Sequence, residues 1–215
     1  MHIAVLAASG KTGQQLVLHA LDRGHTVTAI ARRPEALELP ASDLLTRASG
    51  DVRDRGSIAR AVEHADVVVS GLGAVRGDAP GVLLAGARAL IGAGSPRILW
   101  LGAFGTGRSA DIAGALTRGI LTLALGSELP DKVAADGEIL AAGGTVFHSG
   151  PLTNGRLATY HTVPLDAVRR RLIPSSFSRA TVASAMLDEA EGPARGGQLL
   201  VPVLGPSPRA EAVTS

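Results

Sequence analysis

Met1-His2-Ile3-Ala4-Val5-Leu6-Ala7-Ala8-Ser9-Gly10-Lys11-Thr12-Gly13 opens the chain, and the reading of this stretch decides the fold. His2–Ala7 is a short apolar run with the character of a strand. From Thr12 to Arg23, Leu16, Val17, Ala20 and Leu21 recur at helical spacing, and Gly24 stands where a helix C-cap glycine is expected. The turn between them, Ala7 to Gly13, joins a strand to a helix N-terminus. Small residues there let the backbone approach a phosphate, and the free N–H groups of the helix start meet its charge. Gly10 and Gly13 have the spacing of the second and third glycines of a dinucleotide turn, with Ala7 in place of the first. Gly10-Lys11-Thr12 also suggests a nucleoside-triphosphate loop. That loop needs a glycine five positions before the last one, where Val5 sits inside the strand.

The two periods alternate downstream. Strands are expected over His25–Ala31, Leu44–Ala48 (weakly), Asp66–Ser70, Arg97–Leu101, Thr145–His148 and Gln198–Val203. Helices are expected over Ser57–His64, Pro80–Ala93, Asp111–Leu125, Pro130–Ala142 and Ser178–Glu191, the last with Ser178 as N-cap. Residues 150–174 read as irregular. This alternation predicts an α/β protein with a doubly wound parallel sheet, a Rossmann fold with a small C-terminal substrate-side lobe. A single domain is expected over residues 1–204, followed by a flexible tail, 205–215.

Composition narrows the partners. Hydrophobic residues make up 46% and aromatics 2% of the 215 residues, so the core is built from Ala, Val, Leu and Ile, which suits a covered parallel sheet. The absence of Cys excludes disulfides, thiol catalysis and cysteine zinc sites. No His/Asp/Glu cluster has metal-ligand spacing. The N-terminal apolar run is too short for a signal-peptide core, and no stretch reaches spanning length, so a cytoplasmic protein with no membrane partner is expected. The net charge is only +2, and the dense cluster Arg169-Arg170-Arg171 reads either as a solvated strand entrance or as an anionic-ligand patch. One Trp, one Tyr and three Phe leave no stacking platform for nucleic acid. The expected partner is a small-molecule substrate, bound by a monomer or homodimer.

After the second strand stand Arg32 and Arg33, where an NAD site carries an acid for the ribose hydroxyls. The pair reads as a clasp for the 2′-phosphate of NADP, or else as two exposed arginines. Asp51 follows the third strand as a neighbour of the adenine. Ser70-Gly71-Leu72-Gly73 follows the fourth as a second small-residue turn over the cofactor. Both also fit ordinary βα turns.

Seven segments carry a family resemblance: Ala7 to Gly13, Ala31-Arg32-Arg33-Pro34, Gly50-Asp51-Val52, Leu101-Gly102-Ala103-Phe104-Gly105, Gly150-Pro151-Leu152-Thr153-Asn154-Gly155, Ile173-Pro174, and Phe177 to Ala183. In this order the chain resembles the atypical short-chain dehydrogenase/reductases of the NAD(P)H-binding, NmrA-like and biliverdin reductase B-like group. The resemblance implies that Ala7, Ser9, Gly10, Lys11, Thr12, Gly13, Arg32 and Arg33 hold the ADP-ribose phosphates of NADP(H), with Asp51 and Val52 nearby. It places Leu101, Gly102, Ala103 and Phe104 beside the nicotinamide ribose. Gly150, Pro151, Leu152 and Thr153 would cover the nicotinamide, and segments 105–127 and 154–172 would shape the substrate mouth.

Catalysis departs from the typical short-chain pattern, in which a Tyr protonates the carbonyl and a Lys four residues later lowers its pKa. Tyr160 is followed four residues on by Pro164, Glu128 precedes Lys132, and Gly102-Ala103 stands where the Ser is expected. Lys132, at a helix start along the expected active-site wall, is a candidate acid or an exposed surface lysine. His148, directly before the nicotinamide-covering loop, and Tyr160 are further candidates whose alternative is a structural role. Hydride chemistry belongs to the cofactor, so a reductase of a quinone, flavin or polyketide-like carbonyl remains open without the triad. So do a non-catalytic NADP(H) sensor and a biosynthetic isomerase.

Overall fold

A computed structural model describes residues 1–74, 78–114, 119, 126–168 and 175–206. The arginine cluster 169–171, Ile173-Pro174, most of the helix expected over Asp111–Leu125 and the tail from residue 207 lie outside the described residues.

The chain forms strands β1 (His2–Leu6), β2 (Thr26–Ala31), β3 (Leu45–Ser49), β4 (Val67–Ser70), β5 (Ile98–Ala103), β6 (Thr145–Ser149), β7 (Leu152–Thr153), β8 (Tyr160–Pro164), β9 (Phe177–Ser178) and β10 (Leu199–Leu204). Its main helices are α1 (Lys11–Asp22), α2 (Arg55–Val62), α3 (Val82–Gly92), α4 (Leu129–Ala141) and α5 (Arg179–Glu191). Eight strands build one sheet in the order β3-β2-β1-β4-β5-β6-β10-β8, parallel except where β8 runs against β10. The order reverses at β1, which pairs with β2 on one side and β4 on the other. This is the doubly wound Rossmann arrangement expected from the alternation.

Side-chain alternation explains the all-apolar strands. Ile3 and Val5 enter one buried cluster with Leu16, Val17, Val182 and Met186 of α1 and α5. Ala4 and Leu6 enter the opposite cluster with Ile58, Leu83, Leu90 and Ile139 of α2, α3 and α4. Val67 and Val69 face one layer and Val68 the other, and all three are fully buried. A strand covered on both faces has no polar side to show. β3, at the edge, exposes Thr46 and Arg47, which is why its apolar signal is weak.

Two helix ends depend on distant residues. The Asp131 carboxylate at the start of α4 accepts from the backbone N–H groups of Leu83 (2.9 Å) and Leu84 (3.0 Å), so it caps α3 from the neighbouring helix. Arg97, just before β5, donates to the carbonyls of Ala190 (3.0 Å) and Gly192 (2.8 Å) at the end of α5. Ser178 caps α5 as expected, accepting from the Thr181 N–H at 3.0 Å.

Residues 150–174 depart from expectation. Instead of an irregular stretch, Tyr160–Pro164 forms the antiparallel edge of the main sheet, from Leu200↔Pro164 to Leu204↔Tyr160. β7 and β9 form a small parallel pair beside it. β8 is half-buried from Tyr160 to Val163 and exposed only at Pro164, so its sequence lacks the alternating contrast that marks a strand.

Candidate functional site

At the reversal point, beyond the carboxyl ends of β1 to β4, lies a cleft of about 790 Å³. Its floor is the turn Ala7 to Thr12. Ala7 is the one non-glycine residue with positive φ among the described residues, at 62°. The left-handed conformation expected of a first glycine is therefore kept by an alanine, at a cost of about 1–2 kcal/mol. A Cβ on Gly13 would lie 2.2 Å from the Ala7 carbonyl oxygen, so α1 can sit this close to the turn only with glycine there. Gly10 is the N-cap of α1 and offers no side-chain acceptor, leaving the first N–H groups of the helix directed at the cleft.

The structure brings Ala7, Ser9, Gly10, Lys11, Thr12, Arg32, Asp51, Val52, Gly71, Leu72 and Gly73 together around this cleft. Among the described residues four cations line it (Lys11, Arg32, Arg53 and Arg179) against two carboxylates, Asp51 and Asp78. The donor set, the free helix start and the volume all fit a dinucleotide.

Other expected residues stand elsewhere. Gly13 lies buried beneath the turn and Ser70 is sealed, its Oγ accepting from the Leu72 N–H at 3.3 Å. Arg33 is exposed at the start of a short 3-10 turn, off the cleft lining. Leu101 to Ala103 form the end of β5 with Phe104 just beyond it, and Gly150 to Thr153 follow β6, further along the same carboxyl edge. The Phe104 N–H ties the two exits together through the Ser149 carbonyl at 2.8 Å.

The sequence gives no binding role to three further charged residues of the cleft. Asp78 pairs with Arg32 at 3.4 Å. Arg53 donates to the carbonyls of Ala79 and Pro80, both at 2.9 Å, and so straps the segment before α3 over the cleft. Arg179, the first residue of α5, reaches in from the opposite side. Their signals were faint: a charge two residues past Asp51, another inside a quoted segment, and an acid brought near only by the fold.

The three acid candidates have different fates. His148 is 1% exposed, and both ring nitrogens are engaged: Nε2 with Asp136 at 2.9 Å and Nδ1 with Ser109 Oγ at 2.7 Å. Asp136 also accepts from Trp100 Nε1 at 3.1 Å, and Ser109 Oγ accepts from the Gly105 N–H at 2.8 Å. Ser109, His148 and Asp136 have the composition of a hydrolytic relay but are sealed from solvent, so they bind β5, β6 and α4 to one another. A Cβ on Gly102 would fall 2.5 Å from His148 Cδ2 and 2.9 Å from Asp136 Oδ2. The place where a short-chain Ser would stand is thus filled by this pair.

Tyr160 is corrected from candidate acid to structural anchor by its position. Its hydroxyl donates to the Asp188 carboxylate, which is itself paired with Arg23 at 2.8 Å, and accepts from Ser184 Oγ at 2.7 Å. Burial, then the Asp188 bond, pushes the phenol up to about 12. Arg23 caps the far end of α1, about 18 Å of helix away from the glycine turn.

Lys132 is half-buried one turn before Asp136. Burial lowers its pKa below the ordinary value, with Asp136, Glu128 and Asp131 opposing. α4 returns across the sheet toward β6, so its start lies at the carboxyl edge, near the exit of β5.

None of the curated proteins matches the chain in sequence. Solved structures share its fold: the oxidoreductase ylbE of Lactococcus lactis (18% identity, TM-score 0.77, covering 100% of this chain and 95% of that one). The anaerobillin reductase ChuY of Escherichia coli is similar at 19% identity and TM-score 0.74, covering 96% and 100%. A Veillonella parvula short-chain dehydrogenase/reductase in complex with NADP is similar at 17% identity and TM-score 0.75, covering 96% and 94%. The NAD(P)H-binding family model matches residues 7–193, from the glycine turn to the end of α5. The chain therefore belongs to the NAD(P)H-binding family.

Proposed function

We propose that this protein is an NADPH-dependent oxidoreductase that reduces a small planar acceptor, such as a quinone, flavin or polyketide-like carbonyl, without a Ser-Tyr-Lys triad. The observation that carries the reading is the cationic cleft, with Arg32 and Arg53 at its adenosine end and Lys11 and Arg179 beside the phosphate turn. Arg32 is the guanidinium in reach of a 2′-phosphate, and Arg33 adds charge from the rim. When bound, the nicotinamide supplies the hydride.

The chain's own residues orient the cofactor and provide the proton. Lys132, at the carboxyl edge near the β5 exit, is the donor of this reading, because burial lowers its pKa and makes its ammonium a stronger acid. The buried Asp136–His148–Ser109 chain holds the β5 exit in place and touches no reacting atom.

Following NADPH oxidation by its nicotinamide absorbance against a panel of flavins and quinones tests the reading. Turnover with one of them, faster with NADPH than NADH, is expected. Tight NADP(H) binding with no turnover across the panel would replace the reductase by a sensor.

A further inference from the structure

Beside the phosphate turn, on the outer side of Lys11 and Arg179, lies a second concavity of about 260 Å³. Gln14 and Gln15 of α1 line one wall, and Asn154 and Gly155 line the other. Both cations border the main cleft as well, so the two spaces adjoin. Among the described residues no carboxylate lines the smaller one.

The charges here have no carboxylate partner among the described residues, unlike that of Arg32. Arg32 has Asp78, and Arg53 is committed to two backbone carbonyls. Arg179 donates from Nη1 to Asn154 Oδ1 at 2.7 Å, and that partner is a neutral amide. The bond aims the guanidinium without cancelling its charge. Neither Lys11 nor Arg179 has an ion pair among the described residues. Two like charges bordering a concavity with amide donors behind them make a seat for an anionic group. Its size suits one acidic arm rather than a second ring system.

The geometry points to an anion-binding subsite, formed by Lys11, Arg179 and Asn154, that seats a carboxylate or phosphate arm of the substrate while the substrate's planar part reaches toward the Gly150–Thr153 segment, outside the space the cofactor fills. The inference rests on the reading of the main cleft as the NADPH site. It narrows the substrate to acidic planar molecules.

Riboflavin and riboflavin 5′-phosphate form a matched pair differing by one phosphate. With the protein saturated in NADP⁺, quenching of flavin fluorescence reads the affinity for each, whether or not turnover occurs. Wild type is expected to bind the phosphorylated flavin about tenfold more tightly, the scale of one charge-assisted contact. Arg179→Gln should bring the ratio close to one, and Arg179→Lys should restore part of it. Lys11→Gln, a change at an exposed side chain that leaves packing intact, should lower the ratio too.

Equal binding of the two flavins by wild type, or no binding of either, overturns the subsite. So does an Arg179→Gln protein that loses NADP⁺ affinity at an unchanged flavin ratio, which would assign the arginine to the cofactor pyrophosphate instead. Failure of wild type to bind NADP⁺ overturns the cofactor reading separately. The flavin ratio measured without cofactor then still decides the subsite.

Discussion

At the scale of single residues, the cleft carries two departures from the simplest dinucleotide pattern. The first is Ala7, held at φ 62° where a glycine would cost nothing. Ala7→Gly should relieve the left-handed strain and lose part of that gain to a freer unfolded chain, for a net stabilisation of about 0.5–1 kcal/mol. Urea unfolding measures it, and a destabilised variant would mean the turn is unstrained. The second is the acid beside Arg32. β2 ends without a carboxylate, yet the fold brings Asp78 to 3.4 Å from that guanidinium. Changing Arg32 and Arg33 together to Ala should weaken NADPH by about 1–3 kcal/mol and NADH far less. Equal losses for both cofactors, by titration, would mean that these arginines do not read the 2′-phosphate.

At the scale of elements, α4 gathers the chemistry that single residues left scattered. Asp131 caps α3, Asp136 anchors Trp100 and His148, and Lys132 lies between them with a lowered pKa. Below that lowered value the folded protein holds an ammonium in partly desolvated surroundings, while the unfolded chain solvates it freely. The penalty is present at neutral pH and is relieved as pH rises toward the ordinary lysine value of about 10.4. Lys132→Met should therefore stabilise the protein at neutral pH, with the gain shrinking as the solution becomes alkaline. The same variant should lose turnover if Lys132 donates the proton. A stability gain that is flat across this range would show that the ammonium is not destabilised by folding.

At the scale of the whole molecule, the antiparallel edge β8 is held to the layer of α1 and α5 by Tyr160, Ser184, Asp188 and Arg23. Tyr160→Phe should cost about 1–3 kcal/mol, because two partly exposed hydrogen bonds are lost, one of them to a carboxylate, and should leave turnover unchanged. A large fall in turnover at unchanged stability would return Tyr160 to the reaction. With the phenol raised to about 12, its contribution to stability is complete below the ordinary tyrosine value and fades as pH climbs from there through 12.

Most of the fold was legible because its signals are local. The apolar runs at Ile3–Leu6 and Val67–Val69, the helical spacing from Leu16 to Leu21 and the Ser178 cap each report a period or a cap within a few residues. The phosphate turn was legible for the same reason, being one contiguous stretch between strand and helix. β8 was not, since an edge strand with half-buried positions shows no contrast, and its partner β10 lies about forty residues away in sequence. The other charges of the cleft were hidden for a related reason. Arg53, Asp78 and Arg179 meet only after the sheet has folded, when three separate loops arrive at one edge. His148 and Tyr160 carried the right chemistry for acids, but only packing could engage them, one with Asp136 and Ser109, the other with Ser184 and Asp188. Local pattern thus determined the sheet, the turn and the class of cofactor. Tertiary structure alone decided which charges line the cleft, because long-range contacts, not residue type, set which polar groups are already satisfied.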